Sequence, residues 1–200
     1  MSDSSGAAVM DAPDLGSEVL EDGNGGVAVM DSPSALEIER ATWDDMSHVV
    51  DIVRSSASWY EEIVDPEDLD EHYVDEAWAR KNFAARDFFV GRLGDEIAGT
   101  VTLQDAGKDF SYLGYVYLHE DHVGNGFGSD LLDFAREESK RRGKKAMVLI
   151  AHPDAVWARK AYLRYGFEII AEEREDVLAW NDGWLRPYYE EGFQLYRYDL

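Results

Sequence analysis

Cysteine is absent from the 200 residues, which excludes disulfides, thiolate metal sites and a thiol nucleophile, and fits a reducing compartment. Basic residues are scarce. Thirteen Arg and six Lys stand against 23 Asp and 19 Glu, for a formal charge of -23. A chain with this balance is not built to neutralise phosphates, so a nucleic-acid partner is not expected, and an anionic membrane surface is disfavoured on the same ground. Long apolar runs are also missing: no window approaches the roughly 18 apolar residues of a membrane span, and the first residues lack the basic start and apolar run of a signal peptide. A cytoplasmic protein is expected.

What is present is enough for one well-buried core, with 45% apolar and 12% aromatic residues. The acids are scattered through periodic segments instead of gathered in one tail. At molar salt the Debye length falls to about 3 Å and their mutual repulsion is largely screened. The composition therefore points to a halophilic, acidic protein adapted to a high-salt interior, the alternative being an ordinary acidic protein. Residues 1–34 hold seven acids, no Lys or Arg and few aromatics, and are expected to be a disordered acidic leader. A globular domain over residues 35–200 follows.

Within that domain Leu36–Glu39 alternates as a half-buried strand, and Thr42 precedes Met46, Val49, Val50 and Val53 at helical spacing. A second helix is predicted over residues 67–84, carrying Leu69, Tyr73, Ala77 and Trp78. The runs 87–93 and 96–103 around Gly94-Asp95 read as a hairpin, with a further strand at Tyr112–Leu118. A helix from Phe127 to the basic cluster Lys140-Arg141-Arg142, a buried strand of parallel type at Ala146–Ala151, a helix over residues 155–165 and a strand at 167–171 come next. An irregular stretch holding Trp180, Trp184, Tyr188 and Tyr189 leads to a last strand at 193–198.

Between strand and helix, glycines alternate at Gly124, Gly126 and Gly128, a pattern that turns the chain tightly and leaves main-chain N–H groups facing an anion. A nucleotide-triphosphate loop needs Gly-Lys-Ser/Thr, and here Ser129-Asp130 follows Gly128. A dinucleotide fingerprint needs a third glycine or alanine where Ser129 stands, and usually opens a domain. The third use is the pyrophosphate cradle of an acyl-coenzyme A transferase. The segment Val123-Gly124-Asn125-Gly126-Phe127-Gly128 resembles the Arg/Gln-x-x-Gly-x-Gly/Ala loop of the GNAT acyltransferases, with Val123 departing from the pattern. Downstream, Ala155, Ala158, Tyr162, Gly166 and Phe167 resemble that family's Asn-x-x-Ala-x-x-x-Tyr-x-x-x-Gly-Phe helix, with Ala155 replacing the asparagine.

This resemblance, which covers residues 35–172 and a possible final strand, implies an α/β (α+β) fold. Its mostly antiparallel, twisted mixed sheet would have six to seven strands and about four helices. It implies acetyl-CoA as co-substrate and no metal, with a primary amine on a small molecule, peptide or protein as acceptor. The coenzyme would lie on Val116, Tyr117 and Leu118 and on the loop Val123, Gly124, Asn125, Gly126, Phe127, Gly128 and Ser129, and Tyr162 would protonate the departing thiolate. The strand Phe110–Leu118 carries no acid to serve as base. Glu61 and Glu62, in the region that shapes the acceptor site in this family, are the candidates, beside a water relay through Tyr115 or Tyr117 and the histidines His119, His122 and His152. The aromatic stretch is left as a pocket cap or a homodimer contact. A non-catalytic acyl-CoA-binding or sensing module is the alternative to an enzyme, favoured by Val123, Ala155 and the missing acid.

Overall fold

The computed structural model describes residues 35–63 and 74–200; the expected leader lies outside them. Strand β1 (Glu37–Arg40) leads through a 3₁₀ turn into α1 (Met46–Ser55). Asp45 fastens the entry, its Oδ2 accepting from both the N–H and the hydroxyl of Thr42 at 2.8 Å. The apolar stripe Met46, Val49, Val50 and Val53 is buried, as its spacing requires.

Helix α2 (Glu76–Ala85) begins later than the sequence suggests. Residues 67–73 of the predicted helix lie outside the described residues, and Asp75 is extended, its carboxylate accepting from Trp78 N at 2.8 Å. An N-cap aspartate of this kind starts a helix and stops it from running backwards. The hairpin β2 (Asp87–Leu93) and β3 (Glu96–Ala106) is followed by β4 (Phe110–Leu118), α3 (Phe127–Arg141), β5 (Ala146–Ala151), α4 (Val156–Tyr165) and β6 (Glu168–Ala171). Helix α5 (Arg174–Ala179) and a 3₁₀ turn occupy part of the stretch expected to be irregular, and β7 (Gln194–Asp199) closes the fold. The described residues thus hold five α-helices where about four were expected.

The seven strands form one sheet in the order β1-β2-β3-β4-β5-β7-β6. Every neighbouring pair is antiparallel except β4 and β5. Helix α1 lies over β3 and β4, and α3 over β3, β4 and β5. Gly99 on β3 makes room there: a Cβ at that position would stand 2.7 Å from Leu118 Cδ2 and 3.1 Å from Leu131 Cδ1 of α3. A second, smaller core gathers Tyr112, Val148, Ile150, Val177, Leu185, Phe193 and Leu195. The aromatic stretch covers it. Trp180 meets Phe110 at 5.0 Å between ring centroids, and Trp184 and Tyr188 each meet Tyr112 at 5.2 Å. These rings bury area against their own sheet. No helix among the described residues is long and apolar enough to cross a membrane.

Candidate active site

The site is made where β4 and β5 part. Their parallel ladder holds only Phe110↔Ala146, Ser111↔Met147 and Tyr112↔Val148, although β4 continues to Leu118 and β5 to Ala151. The cause is local. Thr100 pairs with Tyr117 and Thr102 with Gly114, so two residues of β4, Tyr115 and Val116, stand opposite the single Val101. Tyr115 takes φ 46°, a left-handed value that a side-chain-bearing residue adopts only in a bulge or turn. A bulge bends its strand, and here β4 leaves β5 behind.

Beyond the bulge the main chain of β4 has one side without a partner strand. His119 N donates to Ala98 O of β3 at 2.9 Å. Peptide directions alternate along a strand, so the N–H of Leu118 points the other way, into the gap that β5 has vacated. Val116, Tyr117 and Leu118 are buried there. The sequence placed these three at the coenzyme arm, and the structure puts them along the opening.

The glycine turn sits at the end of the same strand. After a 3₁₀ turn at Glu120–His122, Gly124 and Gly126 take φ 88° and 84°, and Gly126 is the N-cap of α3. Gly124, Asn125 and Gly126 are exposed, while Phe127 and Gly128 are buried and seat the helix. Among the described residues, no hydrogen bond is donated by the backbone N–H of Gly124, Asn125 or Gly126, so these N–H groups and the first turn of a 15-residue helix face outward. Such a turn suits a pyrophosphate. Val123 packs against the main core. Asn125 Nδ2 donates to His122 O at 3.2 Å, a turn-closing bond, and Ser129 N closes the first turn on Gly126 O at 3.0 Å.

A group of buried polar side chains from separate elements gathers about Tyr117 of β4. Tyr162 of α4 is fully buried, 5.7 Å between centroids from both Phe167 and Tyr196. Tyr60, in the turn after α1, packs edge-on against Trp157 of α4 at 5.7 Å. Burial, reinforced by Tyr162, pushes the Tyr60 hydroxyl far above the ordinary tyrosine value, and burial does the same to Tyr117, whose hydroxyl faces Tyr60. Both remain protonated at any working pH and can serve as donors. The fourth member is Glu190, 5% exposed, whose charge acts on Tyr60 and Tyr117 alike.

The other sequence candidates are elsewhere or already engaged. Glu61 and Glu62 are exposed, one and two residues beyond Tyr60. His119 Nδ1 and His152 Nδ1 accept from the N–H groups of Asp121 and Asp154 at 3.3 and 3.2 Å, and His122 Nε2 stands 3.1 Å from Glu96 Oε1. Among the described residues no three His, Asp or Glu side chains group as a metal site. Arg136, Lys140 and Arg141 are ion-paired within α3 to Asp133, Glu137 and Glu138. Sequence reasoning missed Tyr60 and Glu190. Tyr60 lies just past the apolar stripe of α1, and Glu190 is one of 42 acids with nothing local to single it out.

The model of the Acetyltransferase (GNAT) family matches residues 49–167, from α1 through the glycine turn to the end of α4. The chain belongs to that family. No curated protein matches it. Among solved structures, the PaiA N-acetyltransferase of Thermoplasma acidophilum in complex with coenzyme A is 16% identical, with TM-score 0.64, over 84% of this chain and 100% of that one. A GNAT-family acetyltransferase of Staphylococcus aureus Mu50 is 16% identical with TM-score 0.62, over 83% and 99%. Another from Elizabethkingia anophelis with acetyl-CoA bound is 16% identical with TM-score 0.54, over 84% and 99%. At these identities the likeness is one of fold, and it agrees with the mostly antiparallel seven-stranded sheet.

Proposed function

We propose that residues 35–200 form one acyltransferase domain that moves acetyl from acetyl-CoA directly to a primary amine. The parting of β4 and β5 beside the glycine turn carries this reading: an opening lined by strand backbone, with outward-facing N–H groups of the turn at its end and the buried Tyr117 on its wall. Family membership and the coenzyme in two structural neighbours support it. Gly124–Ser129 hold the pyrophosphate through main-chain donors, and Val116–Leu118 hold the pantetheine arm.

In this mechanism the Leu118 N–H polarises the thioester carbonyl, and its hydrogen bond strengthens as negative charge develops on that oxygen. The amine nitrogen attacks the carbonyl carbon, the C–S bond breaks, and the electron pair stays on sulfur. Tyr162 donates its phenolic proton to the thiolate. The partnerless side of β4 thus has a catalytic use, whereas a continuous sheet would pair Leu118 with a neighbouring strand.

The test is thiol release from acetyl-CoA with a panel of amines, run in strong potassium chloride to screen the charge of -23. Release that requires both acetyl-CoA and an amine is the expected result. Tight binding of acetyl-CoA without thiol release from any amine would replace this reading with a non-catalytic acyl-CoA-binding or sensing module, the alternative that Val123 at the Arg/Gln position favours.

A further inference from the structure

An alkylammonium acceptor must lose a proton before it can attack, and β4 brings no acid to take it. We propose that Glu190, in the turn that leads into β7, is the general base, a reading that rests on the function proposed above. Its placement is the first reason. Phe193 N bonds back to Glu190 O at 3.2 Å, and Gly192 at φ 84° carries the turn close against His152 at the end of β5. That turn delivers Glu190 to the end of β5 that β4 has left, and directs its charge at Tyr117, the residue before Leu118.

Burial is the second reason. Asp45 and Glu190 are the only acids in the buried class among the described residues. Asp45 is accounted for locally: Thr42 caps it and Arg92 Nη2 pairs with it at 2.7 Å. Glu190 instead is buried at the end of β5, where its charge acts on the hydroxyls of Tyr60 and Tyr117. Removing a carboxylate from water is costly, and this fold retains one whose charge acts on these two tyrosines. Tyr60 feels both the Glu190 charge and the Tyr162 hydroxyl. Glu61 and Glu62 have no such setting.

The proton accounting is complete without any further reactant. The Glu190 carboxylate attracts the ammonium and takes one proton, leaving R–NH2. Attack forms the C–N bond and a tetrahedral intermediate with a protonated nitrogen and an oxyanion beside Leu118 N–H. As C–S breaks, Tyr162 gives its proton to sulfur and regains one from the nitrogen. Glu190 then releases its proton to water, so each turnover yields amide, thiol and one proton. The titratable groups about the Glu190 turn include Tyr60 before α2, Tyr117 on β4, His152 after β5 and Tyr189, whose hydroxyl accepts from Gly192 N at 3.3 Å; outside it, Glu191 pairs with Arg174 at 2.8 Å.

The test compares wild type, Glu190→Gln and Glu190→Asp in the full chain, by kcat against pH, calorimetry with acetyl-CoA and thermal melting. Glu190→Gln should lower kcat about 100-fold near neutral pH. The deficit should shrink by roughly tenfold for each pH unit toward the pKa of the amine, as unprotonated acceptor becomes available. Acetyl-CoA affinity should stay within about twofold of wild type, because the proposed base does not hold the coenzyme. Glu190→Asp should keep the wild-type shape of the profile at reduced height. A folded Glu190→Gln protein with the wild-type pH profile, or a Glu190→Asp profile shaped like that of Glu190→Gln, would overturn the assignment while leaving the acetyl-transfer reading intact. Absence of thiol release from wild type with every amine would remove both.

Discussion

Thr102 Oγ1 donates a 2.7 Å hydrogen bond to the carbonyl of its ladder partner Gly114, which ties β3 to β4 next to the bulge residue Tyr115. Gly114 has little space for anything larger: a Cβ there would stand 2.9 Å from the same hydroxyl and 3.1 Å from Arg86 Nη1. The kink that opens the sheet is therefore held from β3. Thr102→Val keeps the shape and removes the donor of a buried hydrogen bond. It should cost about 0.5–1.5 kcal/mol of stability by urea unfolding and weaken acetyl-CoA binding. Unchanged affinity in a destabilised protein would mean that the bulge does not depend on this bond.

Gly126 caps α3 at φ 84° with open space around the position of a Cβ, so the cost of Gly126→Ala is conformational and not a clash. About 1–2 kcal/mol is expected from the left-handed geometry, either as lost stability or as a relaxed turn. Because the exposed N–H groups of Gly124–Gly126 work only while that turn is held, acetyl-CoA affinity should fall by at least about tenfold, or roughly 1.4 kcal/mol. Calorimetry and thermal melting together separate the two effects.

Tyr162→Phe retains the ring that packs on Phe167 and Tyr196 and deletes the proposed proton donor. Turnover should fall by about 100-fold, with acetyl-CoA affinity nearly unchanged. An unaltered rate would remove Tyr162 from the chemistry and leave it as a core aromatic.

Acid sensitivity has an identifiable source at the end of α3. Arg141 donates to both oxygens of Glu138, at 2.6 and 2.7 Å, and Arg142 Nε adds a third bond at 2.9 Å. These bonds, those from Arg141 first, hold the Glu138 carboxyl from its ordinary 4.5 down to about 2 against the opposing effect of partial burial. A lowered carboxyl pKa stabilises the folded state fully above the unfolded value, and the contribution disappears as pH falls from about 4.5 toward 2. Arg141 is largely exposed, so solvent screening reduces the gain to about 1–2 kcal/mol. Glu138→Gln should lose that amount near pH 7 in urea unfolding, and its difference from wild type should narrow near pH 3.

Much of the fold was legible because local rules and tertiary packing agree. The stripe from Met46 to Val53, the hairpin around Gly94, the continuous apolar run Ala146–Ala151 and the end of α4 at Gly166 each appear at or within a few residues of their expected places. The start of α2 was misjudged because Asp75, one acid among many, gives no sign in sequence that it caps Trp78. Helix α5 was missed because Arg174–Ala179 is a single short segment whose buried face is essentially Val177. At the site, the glycine turn was legible since alternate glycines carry a backbone meaning of their own. The convergence of Tyr60, Tyr117, Tyr162 and Glu190 was not. It depends on the bulge at Tyr115 and on the turn at Gly192, which bring together residues as many as 130 positions apart.

The most direct measurement is a titration of the isotope-labelled protein with acetyl-CoA, followed through its backbone amide resonances in strong potassium chloride. The amides of Gly124–Ser129 and of Leu118 should shift together and saturate at one equivalent, reporting the pyrophosphate at the turn and the acyl oxygen in the gap. Unmoved resonances at those positions, whether nothing shifts or the changes gather elsewhere on the protein, would contradict the placement of the coenzyme and the chemistry built upon it.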